Sequence, residues 1–431
     1  MSRQIESVAV LGAGTMGAGI AAVNAAAGRP VLLLDLTAEA AEAGLARVES
    51  ELHDRITTGT FDDDLDKLAD VDWIVEVIVE DLGIKRSLFE KVEAIRRDGS
   101  IVTSNTSGIP LRDIADGMGA RFGADVAITH FFNPPQLMKL FELVPGADTE
   151  PEVIETLSGY ATDQLDKGVV NAKDTPNFIG NRVGCYFMLA GLHLAKPHLA
   201  DGMTQETIDA VLGRPVGLPP TGMYGLLDLI GLDVMDLVGR NLADNLTAGD
   251  PALAYARFPE VEQRMLERGQ LGRKSGGGFG RMTKHADGSR DIETFDLTTE
   301  DWRPAAEPDL EGVPGDLGEV LFTDTPQGQL AWEIFGGGLR YAADLIPEIS
   351  DDVVNIDRAM RWGFNWAQGP FELFDTIGTG RFIERIKAEG DELPRMLQVL
   401  ADAGSDTFYR TVEGGTEFLT VDGTWAPVPA G

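Results

Sequence analysis

Val8-Ala9-Val10-Leu11-Gly12-Ala13-Gly14-Thr15-Met16-Gly17-Ala18-Gly19-Ile20-Ala21-Ala22 is the stretch on which the reading of the fold turns. A short aliphatic run of strand character passes into Gly12-x-Gly14-x-x-Gly17, then into small residues with helical spacing. Each glycine has its own reason to be there. The first permits a tight turn, the second lets backbone approach a pyrophosphate, and the third lets helix and strand pack closely. The helix that follows presents free N–H groups to a phosphate anion. Alone, the pattern is equally satisfied by a strand-to-helix turn that binds nothing. Asp35 ends the next aliphatic run, Pro30–Asp35. An acid there accepts hydrogen bonds from ribose hydroxyls and repels a 2′-phosphate, which favours NAD over NADP; the alternative is a strand-end turn residue.

The same segment could be mistaken for a secretion signal. Glu6 precedes it, Asn24 interrupts it, and its glycines replace the leucine-like core a signal needs. No other apolar run approaches the roughly eighteen residues of a membrane span. A soluble cytoplasmic protein without membrane insertion is the expectation.

Outward from the glycine turn, Ser7–Leu11, Pro30–Asp35, Trp73–Val79, Ile101–Ser104 and Ala124–Phe131 read as buried strands. Gly17–Ala27, Ala38–Leu52 and Leu82–Arg96 carry helical spacing between them. This alternation predicts an α/β, Rossmann-type doubly wound parallel sheet over residues 1–173. From Asp174 the chain turns helical, as in Asn177–Ala200 and Gln205–Leu212, giving a substrate domain over 174–286. A Gly-, Pro- and acid-rich stretch reads as a linker over 287–322. A second helical domain is expected over 323–431. It echoes the first: Asp174-Thr175-Pro176 returns as Asp324-Thr325-Pro326, Ile208-Asp209 as Ile356-Asp357, and Asp228 as Asp375. These matches lie 150, 148 and 147 residues apart, which suggests an internal duplication.

The 431 residues, 43% hydrophobic and 25% charged, fit several globular domains. A formal charge of −34 argues against nucleic acid or an anionic membrane as partner. The single cysteine, Cys185, excludes intrachain disulfides and thiolate-rich metal sites, and no metal is expected.

Five histidines are available to chemistry. His53 and His285 sit in polar surroundings, and His193 and His198 are spaced so that they do not share a helix face. His130 ends a predicted strand, where ligands of an open α/β sheet bind; by position alone a structural histidine serves equally well. Glu142 interrupts the largely apolar Met138-Lys139-Leu140-Phe141-Glu142-Leu143-Val144. A carboxylate there is costly unless paired. A histidine partner would make a base oriented for an alcohol proton; backbone or Lys139 are the other candidates.

These residues resemble the NAD-dependent L-3-hydroxyacyl-CoA dehydrogenases of fatty acid β-oxidation. The resemblance runs through Gly12-Ala13-Gly14-Thr15-Met16-Gly17, Val79-Glu80-Asp81-Leu82 with Lys85, Ser104-Asn105-Thr106-Ser107, and His130-Phe131-Phe132-Asn133-Pro134. It continues in Met138-Lys139-Leu140 with Glu142, Asp174-Thr175-Pro176 with Asn181-Arg182, and Arg273-Lys274-Ser275-Gly276-Gly277-Gly278-Phe279. It implies His130 as catalytic base with Glu142 as its partner. It implies Ser107 and Asn181 as substrate contacts, Ser107 also lying near the nicotinamide. Glu80, Lys85, Asn133 and Lys274 are implied as further contacts to NAD. The implied reaction is oxidation of L-3-hydroxyacyl-CoA to 3-ketoacyl-CoA, with enoyl-CoA hydratase or thiolase as possible associates. The helical domain would close the substrate cleft.

Two departures stand out. Phe61-Asp62-Asp63-Asp64-Leu65-Asp66 is acidic where the family often carries CoA-docking lysines, and the second helical copy lacks an Asn-Arg pair matching Asn181-Arg182. That copy therefore reads as structural, covering the first copy or replacing a dimer contact. The chain ends at Gly431 without a hydratase module, so no hydratase activity is expected of it. The competing readings are a dehydrogenase of a small free hydroxy acid and a crystallin-like NAD-binding structural protein.

Overall fold

The computed structural model describes residues 3–285 and 287–429. The chain divides after Phe178 into two compact units. In the first, β1 (Val8–Leu11), β2 (Val31–Asp35), β3 (Ile56–Thr60), β4 (Trp73–Glu76), β5 (Ile101–Ser104), β6 (Val126–Phe131), β7 (Leu140–Pro145) and β8 (Gly168–Asn171) form one sheet. Its order is β3-β2-β1-β4-β5-β6-β7-β8, and neighbours are parallel except β6 with β7. The order reverses between β1 and β4, so the carboxyl ends of those strands flank the crevice where doubly wound sheets bind ligands. Strands β1, β4, β5 and β6 are buried throughout, which is why they read as unbroken apolar runs. The helices of this unit are α1 (Thr15–Ala26), α2 (Ala38–Leu45), α3 (Leu82–Ile95), α4 (Leu111–Ala115), α5 (Ala120–Asp125) and α6 (Pro151–Leu165).

Three strands go beyond the sequence expectation. Ile56-Thr57-Thr58-Gly59-Thr60 is an edge strand with one aliphatic residue, so hydropathy does not mark it. Strand β7 was legible only as an apolar stretch, and β8 is a four-residue strand paired to it. Helix α2 stops at Leu45, short of the expected Leu52. Gly44 in its last turn packs on Ala13, where a Cβ would come within 2.6 Å, and glycine is a poor helix former.

The second unit contains α7 (Gly180–Ala200), α8 (Gln205–Val211), α9 (Tyr224–Ile230), α10 (Leu232–Asn245) and α11 (Glu260–Glu267). It continues with α12 (Pro326–Ala331), α13 (Gly337–Asp344), α14 (Val353–Phe364), α15 (Pro370–Ile377), α16 (Thr379–Glu389) and α17 (Arg395–Asp402). Helix α7 is buried along most of its length and packs against α10, α13 and α14. Its Arg182, fully buried, meets Asp250 together with Tyr341 of α13 and Glu348 in the turn after it.

The expected linker over 287–322 carries strands in its first half: β10 (Arg290–Asp296) and β11 (Asp301–Pro304) make an antiparallel sheet with β9 (Gly280–Lys284), which precedes it. Glu206 on α8 anchors that sheet, accepting from Arg303 Nη1 and Nη2 at 2.8 Å each, from Thr294 Oγ1 at 2.7 Å and from Ala306 N at 2.8 Å. Burial works against the Glu206 carboxylate, yet these donors hold it down to about 2. The strands are rich in acid and base because most of their side chains face solvent, so composition alone resembled a linker. A second such sheet, β12 (Tyr409–Val412), β13 (Gly415–Leu419) and β14 (Trp425–Pro427), follows α17.

The paired aspartates make matching contacts. Asp209 accepts from Tyr224 N and Gly225 N at the start of α9, and Asp357 from Phe371 N and Glu372 N at the start of α15. Asp228 accepts from Phe279 N and Gly280 N before its sheet, and Asp375 from Phe408 N and Tyr409 N before the other.

Candidate active site and cofactor loop

At the carboxyl end of β1 the three glycines separate by role. Gly12 has φ +113°, and a Cβ on it would come within 2.5 Å of the Val77 carbonyl oxygen. A Cβ on Gly17 would lie 1.8 Å from the Gly12 oxygen, so α1 packs on the turn only without a side chain there. Gly14 is the opposite case: it is exposed, and a Cβ on it would meet nothing within 4 Å. That open backbone, beside an α1 N-terminus without a side-chain cap, fits a pyrophosphate and leaves N–H groups to bind it. Ala13 is buried in the turn, while Thr15 and Met16 form the first exposed and half-buried positions of the helix.

Asp35 ends β2 beside this turn. Its Oδ2 accepts from Ala13 N at 2.6 Å and its Oδ1 from Leu36 N at 2.6 Å. Each carboxylate oxygen has further acceptor capacity for ribose hydroxyls. Leu36 and Val79, 75% and 63% exposed, stand just past β2 and β4 and could wall an adenine. Neither was given a role from the sequence, although Val79 opens the Val79-Glu80-Asp81-Leu82 motif, since one exposed aliphatic residue carries no signal.

His130 and Glu142 are opposite each other in the antiparallel β6–β7 register, so their side chains share one face of the sheet. His130 Nδ1 lies 2.6 Å from Glu142 Oε2, and its Nε2 lies 3.2 Å from Ser107 Oγ. A carboxylate on Nδ1 makes that nitrogen the donor, leaving the Nε2 lone pair toward Ser107. The ring is 4% exposed and is flanked by Phe132 and Phe178, with centroids 4.7 and 5.7 Å away. Glu142 is fully buried.

Ser107 sits in the loop after β5. Asn105, in the same loop, accepts from Phe131 N at 2.8 Å and so ties the loop to the end of β6. Ser107 N donates to Glu80 Oε1 at 3.0 Å. Lys85 is 1% exposed, with Nζ 2.7 Å from Glu76 Oε1 and 3.2 Å from Glu80 Oε2. Burial pushes the Glu76 carboxyl up, against the opposing pull of Lys85 and Ser104. Glu76 is a site residue the sequence reading did not pick out, although a charge within Trp73-Ile74-Val75-Glu76 is the same signal that marked Glu142. Asn133 is exposed just beyond β6, and Asp174 caps α4 through Leu111 N and Arg112 N.

The remaining expected contacts lie in the second unit. Asn181 occupies the first turn of α7, and Lys274 lies in a short turn, 2.5 Å from Asp233. No group of three or more His, Cys, Asp or Glu suited to a metal occurs among the described residues, and none of their helices is long and apolar enough to cross a membrane.

Comparison with known proteins bears on this geometry. Residues 7–175 match the family model of the 3-hydroxyacyl-CoA dehydrogenase NAD binding domain, and residues 178–282 that of the C-terminal domain. A Bacillus subtilis protein described as "Probable 3-hydroxyacyl-CoA dehydrogenase" is 36% identical over 99% of this chain and 58% of its own length. A Rickettsia felis protein named as a fatty acid oxidation complex trifunctional enzyme is 34% identical over 86% of this chain and 53% of its own. The chain thus spans little more than half the length of these relatives. The crystal structure of 3-hydroxybutyryl-CoA dehydrogenase from Escherichia coli superposes with a TM-score of 0.69 at 26% identity, covering 93% of this chain and 99% of that one.

Proposed function

Because the chain belongs to the 3-hydroxyacyl-CoA dehydrogenase family, we propose that it oxidises L-3-hydroxyacyl-CoA to 3-ketoacyl-CoA within fatty acid β-oxidation. NAD, when bound, supplies the nicotinamide that accepts the hydride from C3. Gly12, Ala13, Gly14, Thr15, Met16 and Gly17 would hold its pyrophosphate and Asp35 its adenosine ribose, with Glu80, Lys85, Ser107, Asn133 and Lys274 as further contacts.

His130 takes the hydroxyl proton at Nε2. Glu142 keeps the ring from turning and meets the positive charge it acquires, so the proton leaves as the hydride does. Ser107 Oγ shares the substrate oxygen with His130, and Asn181 supplies a second donor to it. The observation that carries this reading is the Glu142–His130–Ser107 row, its Glu142–His130 pair buried, with 2.6 and 3.2 Å between successive partners.

The trifunctional name of the rickettsial relative supports enoyl-CoA hydratase or thiolase as associates. His130→Gln should leave NADH binding unchanged and lower turnover of 3-hydroxybutyryl-CoA by roughly 10²–10⁴-fold, the usual worth of a general base. Near-normal turnover would sink the mechanism. Faster reduction of NAD with free 3-hydroxybutyrate than with its CoA thioester would replace the substrate assignment.

A further inference from the structure

We propose that Glu76 is a positioning residue that fixes Ser107 against His130, acting through Lys85 and Glu80 and not by touching cofactor or substrate itself. The proposal rests on the dehydrogenase reading above.

An ammonium has three donor protons. Lys85 donates to Glu76 Oε1 at 2.7 Å and to the Ile78 carbonyl oxygen at 3.5 Å, and its Nζ forms an ion pair with Glu80 Oε2 at 3.2 Å. Glu76 ends β4, fully buried, opposite Ser104 in the β4–β5 register. One of its oxygens accepts from Lys85 and from Ile78 N, the latter at 2.7 Å; the other accepts from Ser104 Oγ. It therefore joins the loop after β4 to the end of β5. Glu80 completes the link by accepting from Thr106 Oγ1 at 2.5 Å and from Ser107 N at 3.0 Å. Ser107 Oγ then stands 3.2 Å from His130 Nε2.

Desolvating an ammonium and a carboxylate costs several kcal/mol per ion, and an apolar trio of similar volume often packs as stably. Stability alone does not call for this cluster. What it provides is directional: two loops from adjacent strands are held at hydrogen-bonding distance, so that a serine hydroxyl has one position relative to a base. Misplacement by about 1 Å is enough to cost two orders of magnitude in rate.

A double-mutant cycle tests the proposal, using Glu76→Gln, Ser107→Ala and the pair, with kcat, NADH affinity by fluorescence, and Tm measured for each. Glu76→Gln keeps volume and hydrogen-bonding shape but weakens the hold on Lys85. We expect it to lower kcat about tenfold or more, with NADH affinity unchanged, and to add little once Ser107 is already Ala. Effects that multiply in the cycle, or an unchanged kcat, overturn the proposal. Tenfold weaker NADH binding with normal kcat overturns it in favour of a cofactor contact. Should Glu76→Gln fail to fold, Thr106→Val removes the Glu80 bond at a different residue and takes its place in the same cycle. If the wild-type protein oxidises no hydroxyacyl-CoA, the dehydrogenase reading fails on its own. The ¹⁵N signal of His130, assigned with His130→Gln, then decides: it must shift in Glu76→Gln, and a fixed signal rejects the positioning role.

Discussion

Glu142 and His130 owe their contact to register, since cross-strand partners of an antiparallel pair present side chains on the same face. In the proposed mechanism the carboxylate orients the ring and meets the charge that proton uptake creates. Glu142→Gln keeps the size but offers a neutral amide that can also face Nδ1 with its NH₂ group, so the ring loses its fixed tautomer. Turnover should fall about 10- to 100-fold while NADH affinity holds; equal kcat values for variant and wild type would remove Glu142 from the mechanism. This pair was legible in the sequence as a charge inside an apolar stretch and a histidine at a strand end. Glu76 carried the same mark but was absorbed into the longer expected strand Trp73–Val79, whereas β4 ends at Glu76 itself. Hydropathy locates an apolar run; only hydrogen bonding to neighbours says where the strand stops.

Among the elements, the echoes between the helical regions turn on a close approach. A Cβ at Gly222 would lie 2.4 Å from Asp209 Cα, and one at Gly369 would lie 2.2 Å from Asp357 Cα. In both, the backbone before a helix passes directly over an aspartate whose carboxylate accepts that helix's first N–H groups. Backbone cannot step aside as a side-chain tip can. Gly222→Ala and Gly369→Ala should therefore each lower unfolding stability by about 2 kcal/mol or more, read from denaturant midpoints. A loss below about 0.5 kcal/mol in either, the size of an ordinary surface change, would show that the approach relaxes freely. The spaced aspartates were visible in the sequence, but their partners were not. The sheet formed by β9, β10 and β11 was hidden for a related reason: its register depends on Glu206, which is distant in sequence from the residues it anchors.

For the molecule as a whole, acidity acts through buried groups as well as surface ones. Burial raises Asp209 from its ordinary 3.8 to about 7, against the opposing backbone N–H groups of Tyr224, Gly225 and Met223. Burial also raises Asp375 to about 6 and Glu262 to about 7. A carboxyl whose folded value exceeds its unfolded one binds more protons when folded. Its stabilising contribution is complete below the unfolded value and is lost as pH rises through the folded one. Tm should therefore rise as pH falls from about 8 towards 5.5, and rise less in Asp209→Asn. An identical slope in wild type and variant would contradict the assignment. Below about 4 the paired carboxylates, Glu206 foremost, lose their charge and the trend reverses.

The formal charge of −34 adds self-repulsion that salt screens, with a Debye length of about 10 Å at 0.1 M and about 3 Å at 1 M. Tm should climb between 0.15 and 1 M NaCl, since most of the ion pairs that salt weakens are exposed and contribute little. A flat response would mean that the acids are already locally neutralised.

By itself, the sequence determined that this chain opens with a glycine turn between a buried strand and a small-residue helix. It also determined that an acid ends the next apolar run, and that a histidine and a carboxylate stand where apolar residues would otherwise be. These are local facts, set by steric tolerance and by the cost of burying charge, and both are written in residue type and spacing. Tertiary structure alone decided that Glu142 faces His130, that Lys85 is enclosed by Glu76 and Glu80, and that a stretch resembling a linker is a sheet. Each of those outcomes depends on which distant strand lies alongside. Hydrogen-bond register, unlike hydropathy, belongs to the pair and not to either segment.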